Sequence, residues 1–342
     1  MTAVGVIGAT GLVGGEMLRI LEERNFPVSQ FRAYASQRSE GRVLATKWGD
    51  VACEVLRDGC FDGLDLVIVD VDDPLALEWA PRAAAAGATV VDNSAAFRMD
   101  PDVPLVVPEA NPHDVHNAPK GIISCPNCTT VVLVTALAPL HREFGIERLV
   151  VATYQSVSGA GKPGMEELSD QWTKFDGGAE QLRRAAATPG VIEPGEVWDR
   201  PIAGNAIPLA GSVKEHGYTS EELKLVRETR KILHDESLRI TATNARVPVY
   251  VGHSMAVNIE FRRPAAKAAV VELLAAAPGV ALAEGGDGHP SALEGAGIDP
   301  VLVGRVREDQ SNPGGIDCWV TGDNLRKGAA LNAVQIAELV IR

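Results

Sequence analysis

The first residues of the chain constrain its fold more than any other stretch. Ala3-Val4-Gly5-Val6-Ile7 is a strand-like apolar run, and it leads directly into Gly8-Ala9-Thr10-Gly11-Leu12-Val13-Gly14. The apolar periodicity behind that loop predicts a helix over 13–24. A strand that turns through glycines into a helix leaves free N–H groups at the helix start and lets backbone approach an anion closely, which is how a dinucleotide pyrophosphate is held. The same turn also forms with no ligand, so its meaning depends on the pattern of the residues behind it. Here β-rich runs at 31–35, 65–69 and 88–92 alternate with a helical pattern at 74–86, and that alternation calls for a parallel, doubly wound sheet.

After residue 128 the texture changes. Longer β-rich segments at 147–159, 238–251 and 253–261 stand beside helical stretches near 221–234 and 265–276, which predicts an α+β unit with a mixed or antiparallel sheet. A chain of 342 residues suits two such units. We place an α/β, Rossmann-like unit over 1–127 and an α+β unit over 128–323, to which the resemblance given below assigns catalysis and dimerisation. An amphipathic helix over 326–341 is expected to return to the first unit, completing it with 324–342. Stretches 175–208 and 284–300, rich in Gly with Pro, Ala or Asp, read as loops. The alanine runs at 83–86 and 185–187 read as helix.

Charge narrows the function. With 32 Lys and Arg against 45 Asp and Glu, the net charge is −13. That offers no electrostatic footprint for a nucleic-acid backbone, and an anionic small molecule would have to be met by local arginines. The most apolar stretch, 268–283, is interrupted by Glu272, Pro278 and Gly279, too short to span a bilayer. The N-terminus reads as a strand rather than a secretory leader. Five dispersed cysteines in odd number suit reduced thiols and a cytoplasmic location. No membrane partner is expected, and no metal site.

The segment after the second β-rich run discriminates between dinucleotides. Ser36-Gln37-Arg38-Ser39 offers a cation and two hydroxyls where an acid would select a free ribose hydroxyl. Glu40 weakens the case slightly, and a solvated loop arginine would look the same. The reading favours NADP.

Cys125-Pro126-Asn127-Cys128 precedes a helical run over 129–140. A thiol at a helix start gains from free N–H groups and the macrodipole, which favour the thiolate and make Cys128 a candidate nucleophile. A zinc half-site would need a second Cys/His cluster that the chain lacks at any usual spacing. An ordinary structural cysteine stays open on this motif alone.

The strings GATGLVG, ASQRS, VDNSAAFR, DVPLVVPE, CPNCTT, ATYQSVSGAG, EELK, ARVP, GHS and TGDNLRKGAALNAVQIAEL together resemble the aspartate-semialdehyde dehydrogenase family, bacterial type, over 4–339. The resemblance implies NADPH-dependent reduction of β-aspartyl phosphate through a cysteine thioester, in lysine, threonine and methionine synthesis, by a homodimer or homotetramer built through the second unit. It implies Cys128 as nucleophile, His253 as acid/base and Gln155 as the residue that orients the acyl group. Arg98, Asn127 and Lys224 resemble phosphate binders, Arg246 the carboxylate clamp and Glu221 the partner of the ammonium. Gly8, Thr10, Gly11, Leu12, Val13, Ser36, Arg38, Ser39, Ser158, Gly159 and Asn324 resemble cofactor contacts. Glu221 and Lys224, three apart on a helix, would also form an ordinary surface ion pair, and His253 an ordinary core histidine.

Two places depart from the family. Asp70-Val71-Asp72-Asp73 stands where the family has a Ser-Ala-Gly-Ser type loop near the cofactor. Asp73 reads as a helix N-cap before Pro74, while carboxylates beside a pyrophosphate would weaken its binding. Gly204 replaces a bulky aromatic and is expected to loosen packing there. Two rivals therefore stand beside the main reading: a related acyl-phosphate or acyl-CoA reductase with another acyl group, and a catalytically silent cofactor-binding paralogue.

Overall fold

A computed structural model describes residues 1–175, 177–185 and 190–341. Thr2–Ile7 is buried along its whole length and pairs in parallel with Val28–Tyr34 on one side and Leu66–Val69 on the other. Thr89–Asp92 and Ile122–Ser124 extend the sheet, again in parallel, in the order second, first, third, fourth, fifth. Continuous apolar strands of this kind need cover on both faces. One face takes Ala76, Trp79, Ala80 and Ala83 from the helix Asp73–Ala85. The other takes Met17, Ile20 and Leu21 from Leu12–Glu23, together with Leu331, Val334 and Ile336 from the last helix, Leu331–Val340. The C-terminal helix thus returns to the first unit, entered through a π-turn at Arg326–Ala330.

The second unit is a six-stranded mixed sheet. Its order is Val280–Leu282, Val301–Glu308, Ile316–Gly322, His253–Phe261, Ile146–Gln155, Arg239–Arg246. Its two outermost pairings are parallel and the three inner ones antiparallel. Helices Cys128–Phe144, Ser220–Leu233 and Lys267–Ala275 cover one face through Leu133, Leu137, Leu225 and Val270. Ser220–Leu233 starts with a full capping box, Thr219 against Glu222, a device that stabilises a helix start by about 1 kcal/mol.

Four expectations change. Val43–Thr46 and Gly49–Ala52 form a hairpin where the sequence pattern shows none, and Val301–Glu308 and Ile316–Gly322 are strands with no clear sequence signal. The stretches expected as loops contain short helices, Ala179–Arg183 and Ala292–Gly295. Asp72, not Asp73, caps the second helix: its carboxylate accepts the Leu75 N–H at 3.3 Å and Asp73 is the first helical residue. Of the alanine runs, 83–85 is helical, whereas 186 and 187 lie outside the described residues.

The two units are locked by charge at the π-turn. Arg326, 6% exposed, donates to Glu16 and Glu23 of the first helix (2.9 and 2.8 Å) and to Asp299 of the second unit (2.6 Å). Lys327, 1% exposed, donates to Glu109 and Gln335. The glycine loop and the cleft over Cys128 are thereby held in one frame.

Candidate active site

Each functional segment of the first unit follows the C-terminal end of a parallel strand: the glycine loop after Ile7, Asp70 after Val69, Asn93 after Asp92, and Cys125 after Ser124. This edge is where open α/β sheets bind ligands. Gly8 has φ +88° and a Cβ there would lie 2.1 Å from the Asp70 carbonyl oxygen, so the turn requires glycine. Gly14 meets the Gly8 carbonyl in the same way at 2.2 Å. Gly11 is the N-cap and brings no side chain, which leaves first-turn N–H groups at Leu12 and Val13 free of a side-chain cap, as a bound pyrophosphate requires. Gly8 and Ala9 bond the Tyr34 carbonyl, and exposed Ser36 and Arg38, with half-buried Ser39, lie in the turn just beyond. The loop and its neighbouring cation fit a phosphorylated dinucleotide.

The departing acids are each engaged. Asp70 accepts the Asn93 side-chain amide at 3.1 Å; burial raises its carboxyl above the usual range, against the Asn93 and Gly14 N–H groups that stabilise the anion. Asp72 caps its helix, and Asp73 accepts the Ala95 N–H at 2.8 Å from the wall of the cleft. Gly204 has φ +67° and sits beside Trp172 and Leu182, a backbone conformation that suits glycine better than an aromatic.

Cys128 is the first residue of its helix, behind Asn127, whose side chain caps it by accepting the Thr129 N–H at 3.1 Å. Its Sγ lies 3.2 Å from His253 Nε2. His253 opens a central strand, is fully buried, and its Nδ1 accepts the Ser156 N–H at 3.1 Å. With Nδ1 acting as acceptor, the neutral ring carries its proton on Nε2. Burial, then the Arg246 charge, holds His253 well below its ordinary value. Asn324 ties this corner together, accepting from the Gly252 N–H and the Ser156 hydroxyl at 2.9 Å each and donating to Ser158 at 2.9 Å.

Cys128 is not the low-pKa thiol that its place at a helix start suggests. Burial, then the Glu221 charge, pushes it up to about 11, against Arg246, Arg98 and the Thr129 N–H. Desolvation of a thiolate outweighs the first-turn dipole. Cys125 is buried further and raised to about 12, so it is no rival nucleophile.

A cavity of about 640 Å³ opens over Cys128 and is walled by Gln155, Gly159, Glu221, Lys224, Arg98 and Arg246. Arg246, at the end of its strand, donates Nη1 to the Ser156 carbonyl at 2.6 Å. Arg98 donates Nη2 to the Asn93 carbonyl at 2.8 Å and Nη1 to Glu228 at 3.2 Å. The Nε atoms of both arginines are buried without a partner among the described residues. An unpaired buried donor is costly, and two of them beside one cavity suit an anionic ligand. Glu221 bonds Lys224 at 2.6 Å and Asn127 at 2.7 Å; the i,i+3 pair exists, and it lines the cleft rather than solvent. Gln155 is buried and held by Thr153.

Sequence reasoning missed four contributors: Ser156, Asn93, Gly328 and Glu228. A Cβ on Gly328 would lie 3.0 Å from that of Cys128. Glu228 had a signal: with Leu225 and Glu221 it falls on one helix face, and an acid on a buried face needs a partner.

The described chain contains the parts of a thiol-dependent acyl reductase, and comparison with known proteins decides its family. Residues 3–118 match the semialdehyde dehydrogenase NAD binding domain and residues 137–327 the semialdehyde dehydrogenase dimerisation domain. An aspartate-semialdehyde dehydrogenase of Streptomyces akiyoshiensis is 48% identical over 339 residues, 98% of each chain. The chain belongs to the aspartate-semialdehyde dehydrogenase family. The crystal structure of aspartate semialdehyde dehydrogenase II complexed with ASA from Vibrio cholerae matches with a TM-score of 0.92 and 42% identity, over 100% of this chain and 98% of that one. The family's enzyme with NADP from Candida albicans matches with a TM-score of 0.75 and 25% identity, over 100% and 98%. The first unit is therefore the family's NAD-binding domain and the second its dimerisation domain. Among the described residues no helix is long and apolar enough to cross a membrane.

Proposed function

We propose that the protein reduces L-aspartyl-4-phosphate to L-aspartate-4-semialdehyde, releasing phosphate, with NADPH as cofactor and Cys128 as the covalent nucleophile. The observation that carries this reading is the Cys128–His253 pair at 3.2 Å in a cavity shared by two buried guanidinium groups with open donors. The relatives' names supply the substrate, and the charge pattern of the cleft agrees with it.

Arg246 clamps the substrate carboxylate and Glu221 takes its ammonium group. Arg98, Asn127 and Lys224 hold the phosphate. Binding changes the thiol: an ammonium beside Glu221 cancels the charge that raises Cys128, while Arg246 and Arg98 continue to favour the thiolate. Cys128 Sγ attacks the acyl carbon, the C–S bond forms, the C–O bond to phosphate breaks with its electrons leaving on phosphate, and the thiol proton passes to that departing phosphate. Gln155 orients the resulting thioester, and first-turn N–H groups at the Cys128 helix face the developing negative oxygen. NADPH, when bound, supplies the hydride that reduces the thioester. His253 Nε2–H hydrogen-bonds the negative oxygen that develops on the tetrahedral intermediate and keeps its proton, and that oxyanion collapses to the aldehyde as the C–S bond breaks and the Cys128 thiolate leaves. Thr10 to Val13, Arg38, Ser39, Ser158, Gly159 and Asn324 would line the cofactor.

A cytoplasmic homodimer or homotetramer, serving lysine, threonine and methionine synthesis, completes the proposal; sedimentation of the purified chain tests the assembly. The deciding experiment is phosphate-dependent reduction of NADP with L-aspartate-4-semialdehyde, run beside NAD and a Cys128→Ala control. Turnover that vanishes in the control is expected. No turnover by folded protein overturns the reading in favour of another acyl group or a silent paralogue.

A further inference from the structure

Glu228 lies in the middle of the helix Ser220–Leu233 and is 1% exposed. A carboxylate is rarely buried so fully unless it is paired and hydrogen-bonded, and this one has two partners from two other segments. Oε1 accepts Arg98 Nη1 at 3.2 Å, and Oε2 accepts the backbone N–H of Asn127 at 2.7 Å. Asn127 caps the helix that Cys128 begins. A single carboxyl group therefore joins the guanidinium on one wall of the cleft to the residue before the nucleophile.

The contacts also fix which donors of Arg98 are offered. One Nη1 hydrogen is taken by Glu228 and one Nη2 hydrogen by the Asn93 carbonyl. Nε has no partner among the described residues. What Glu228 and Asn93 leave over are Nε–H and the second hydrogens of Nη1 and Nη2, the donors with which a guanidinium meets an oxyanion. Burial works against the Arg98 charge and Glu228 sustains it, so the guanidinium is held in place by two partners and kept charged before any ligand arrives.

We propose that Glu228 is a positioning residue that sets the phosphate-binding guanidinium of Arg98 at a fixed place relative to Cys128. This rests on the assignment of Arg98 to phosphate above. Glu228 touches no substrate itself. Its effect passes through Arg98 to the leaving group and through Asn127 to the start of the nucleophile helix, so the distance between acyl carbon and sulfur is set from both ends.

The test uses the full chain with Glu228→Gln, Glu228→Asp and Arg98→Lys. Gln keeps an acceptor for the Asn127 N–H but loses the charge that faces Arg98. Asp keeps the charge and shortens the reach. In the phosphorylating direction, Glu228→Gln should raise the KM for inorganic phosphate about tenfold, while the KM for the semialdehyde moves less than about threefold. Glu228→Asp should recover part of the loss. A second readout needs no turnover: the inorganic phosphate concentration that half-protects Cys128 from iodoacetamide should rise in parallel. A purely structural role would lower kcat or the melting temperature and leave both phosphate readouts where they are, and that result overturns the proposal. Should Glu228→Gln fail to fold, the phosphate readouts of Glu228→Asp decide alone. If Arg98→Lys also leaves phosphate affinity unchanged, the assignment of Arg98 fails; if Arg98→Lys weakens phosphate and the Glu228 variants do not, only the role of Glu228 fails.

Discussion

The backbone N–H of Ser156 donates to Nδ1 of His253 at 3.1 Å, and this one contact assigns the proton of the imidazole to the nitrogen that faces Cys128. A ring held in this form donates from Nε2. Charging it would add a proton at Nδ1 against the Ser156 N–H, and both burial and Arg246 oppose the charge.

The first prediction rests on that depressed value. His253 stays neutral across the neutral range, so kcat/KM should show no break near the ordinary histidine value of about 6.5. Stability has the opposite sign from a salt-bridged histidine. The unfolded chain takes up a proton below its own pKa and the folded one does not, so this group's contribution is present above that pKa and is lost as pH falls through it. Urea unfolding of wild type and His253→Gln, at neutral and mildly acidic pH, should show wild type losing more stability on acidification. Equal losses would refute the assignment.

Glu221 makes a two-sided prediction. Its charge raises the Cys128 thiol, and in the proposed mechanism it takes the substrate ammonium. Glu221→Gln should therefore make the free enzyme's thiol more acidic, by up to about one pH unit, seen as faster alkylation by iodoacetamide at a given pH. The same variant should raise the KM for the semialdehyde about tenfold or more, because a charge-assisted bond is lost. Faster alkylation with an unchanged KM would remove Glu221 from the substrate site.

How much of this is legible without coordinates depends on where the partner of each residue lies in the chain. Gly8 to Gly14, Cys128 at its helix start and the alternating first unit are readable, because strand, loop and helix are consecutive and state their own pattern. Val301–Glu308 is not, because its pairing shifts register between Gly304 and Arg307, and Arg305 has a positive φ. The alternation that marks a half-buried strand is broken at that point. Glu228 and Arg98 are 130 residues apart, so the sequence shows an acid sharing a helix face with Leu225 but not the cation that meets it. The thiol pKa is misjudged for a related reason: the helix start is local and visible in sequence, whereas the burial that outweighs it is built by both units.

Asp70 carries a prediction about the cofactor. Its carboxylate faces the first-turn N–H of Gly14 and burial raises its pKa. A deprotonated acid beside a pyrophosphate repels it, and a protonated one does not. NADPH affinity should therefore fall as pH rises through the raised Asp70 pKa. Asp70→Ser should tighten NADPH binding by about tenfold or less at a pH above that value and flatten the dependence, measured by fluorescence titration. Replacing all of 70–73 with Ser-Ala-Gly-Ser should tighten binding in the same direction. It should also cost on the order of a few tenths of a kcal/mol of stability, because Gly at 72 takes the place of the Asp72 cap. Unchanged affinity in both variants would show that the acidic loop is neutral toward the cofactor.

The last prediction concerns a methyl group's worth of space. A Cβ on Gly159 would lie 2.7 Å from Arg246 Nη1 and 3.3 Å from His253 Cε1, so Gly159→Ala must displace one of them. The arginine gives first, because His253 is packed on all sides and Arg246 reaches into the cavity with Nε unpartnered among the described residues. Moving the guanidinium breaks its 2.6 Å bond to the Ser156 carbonyl and misaligns the group proposed to clamp the substrate carboxylate. The expected result is a KM for the semialdehyde raised about tenfold, since relieving the clash moves the guanidinium by more than half an ångström and a misplacement of about 1 Å costs roughly a hundredfold. The variant should fold normally and keep its iodoacetamide-reactive Cys128. A loss of kcat at unchanged KM would place the strain on His253 instead, and would identify the histidine rather than the arginine as the softer neighbour.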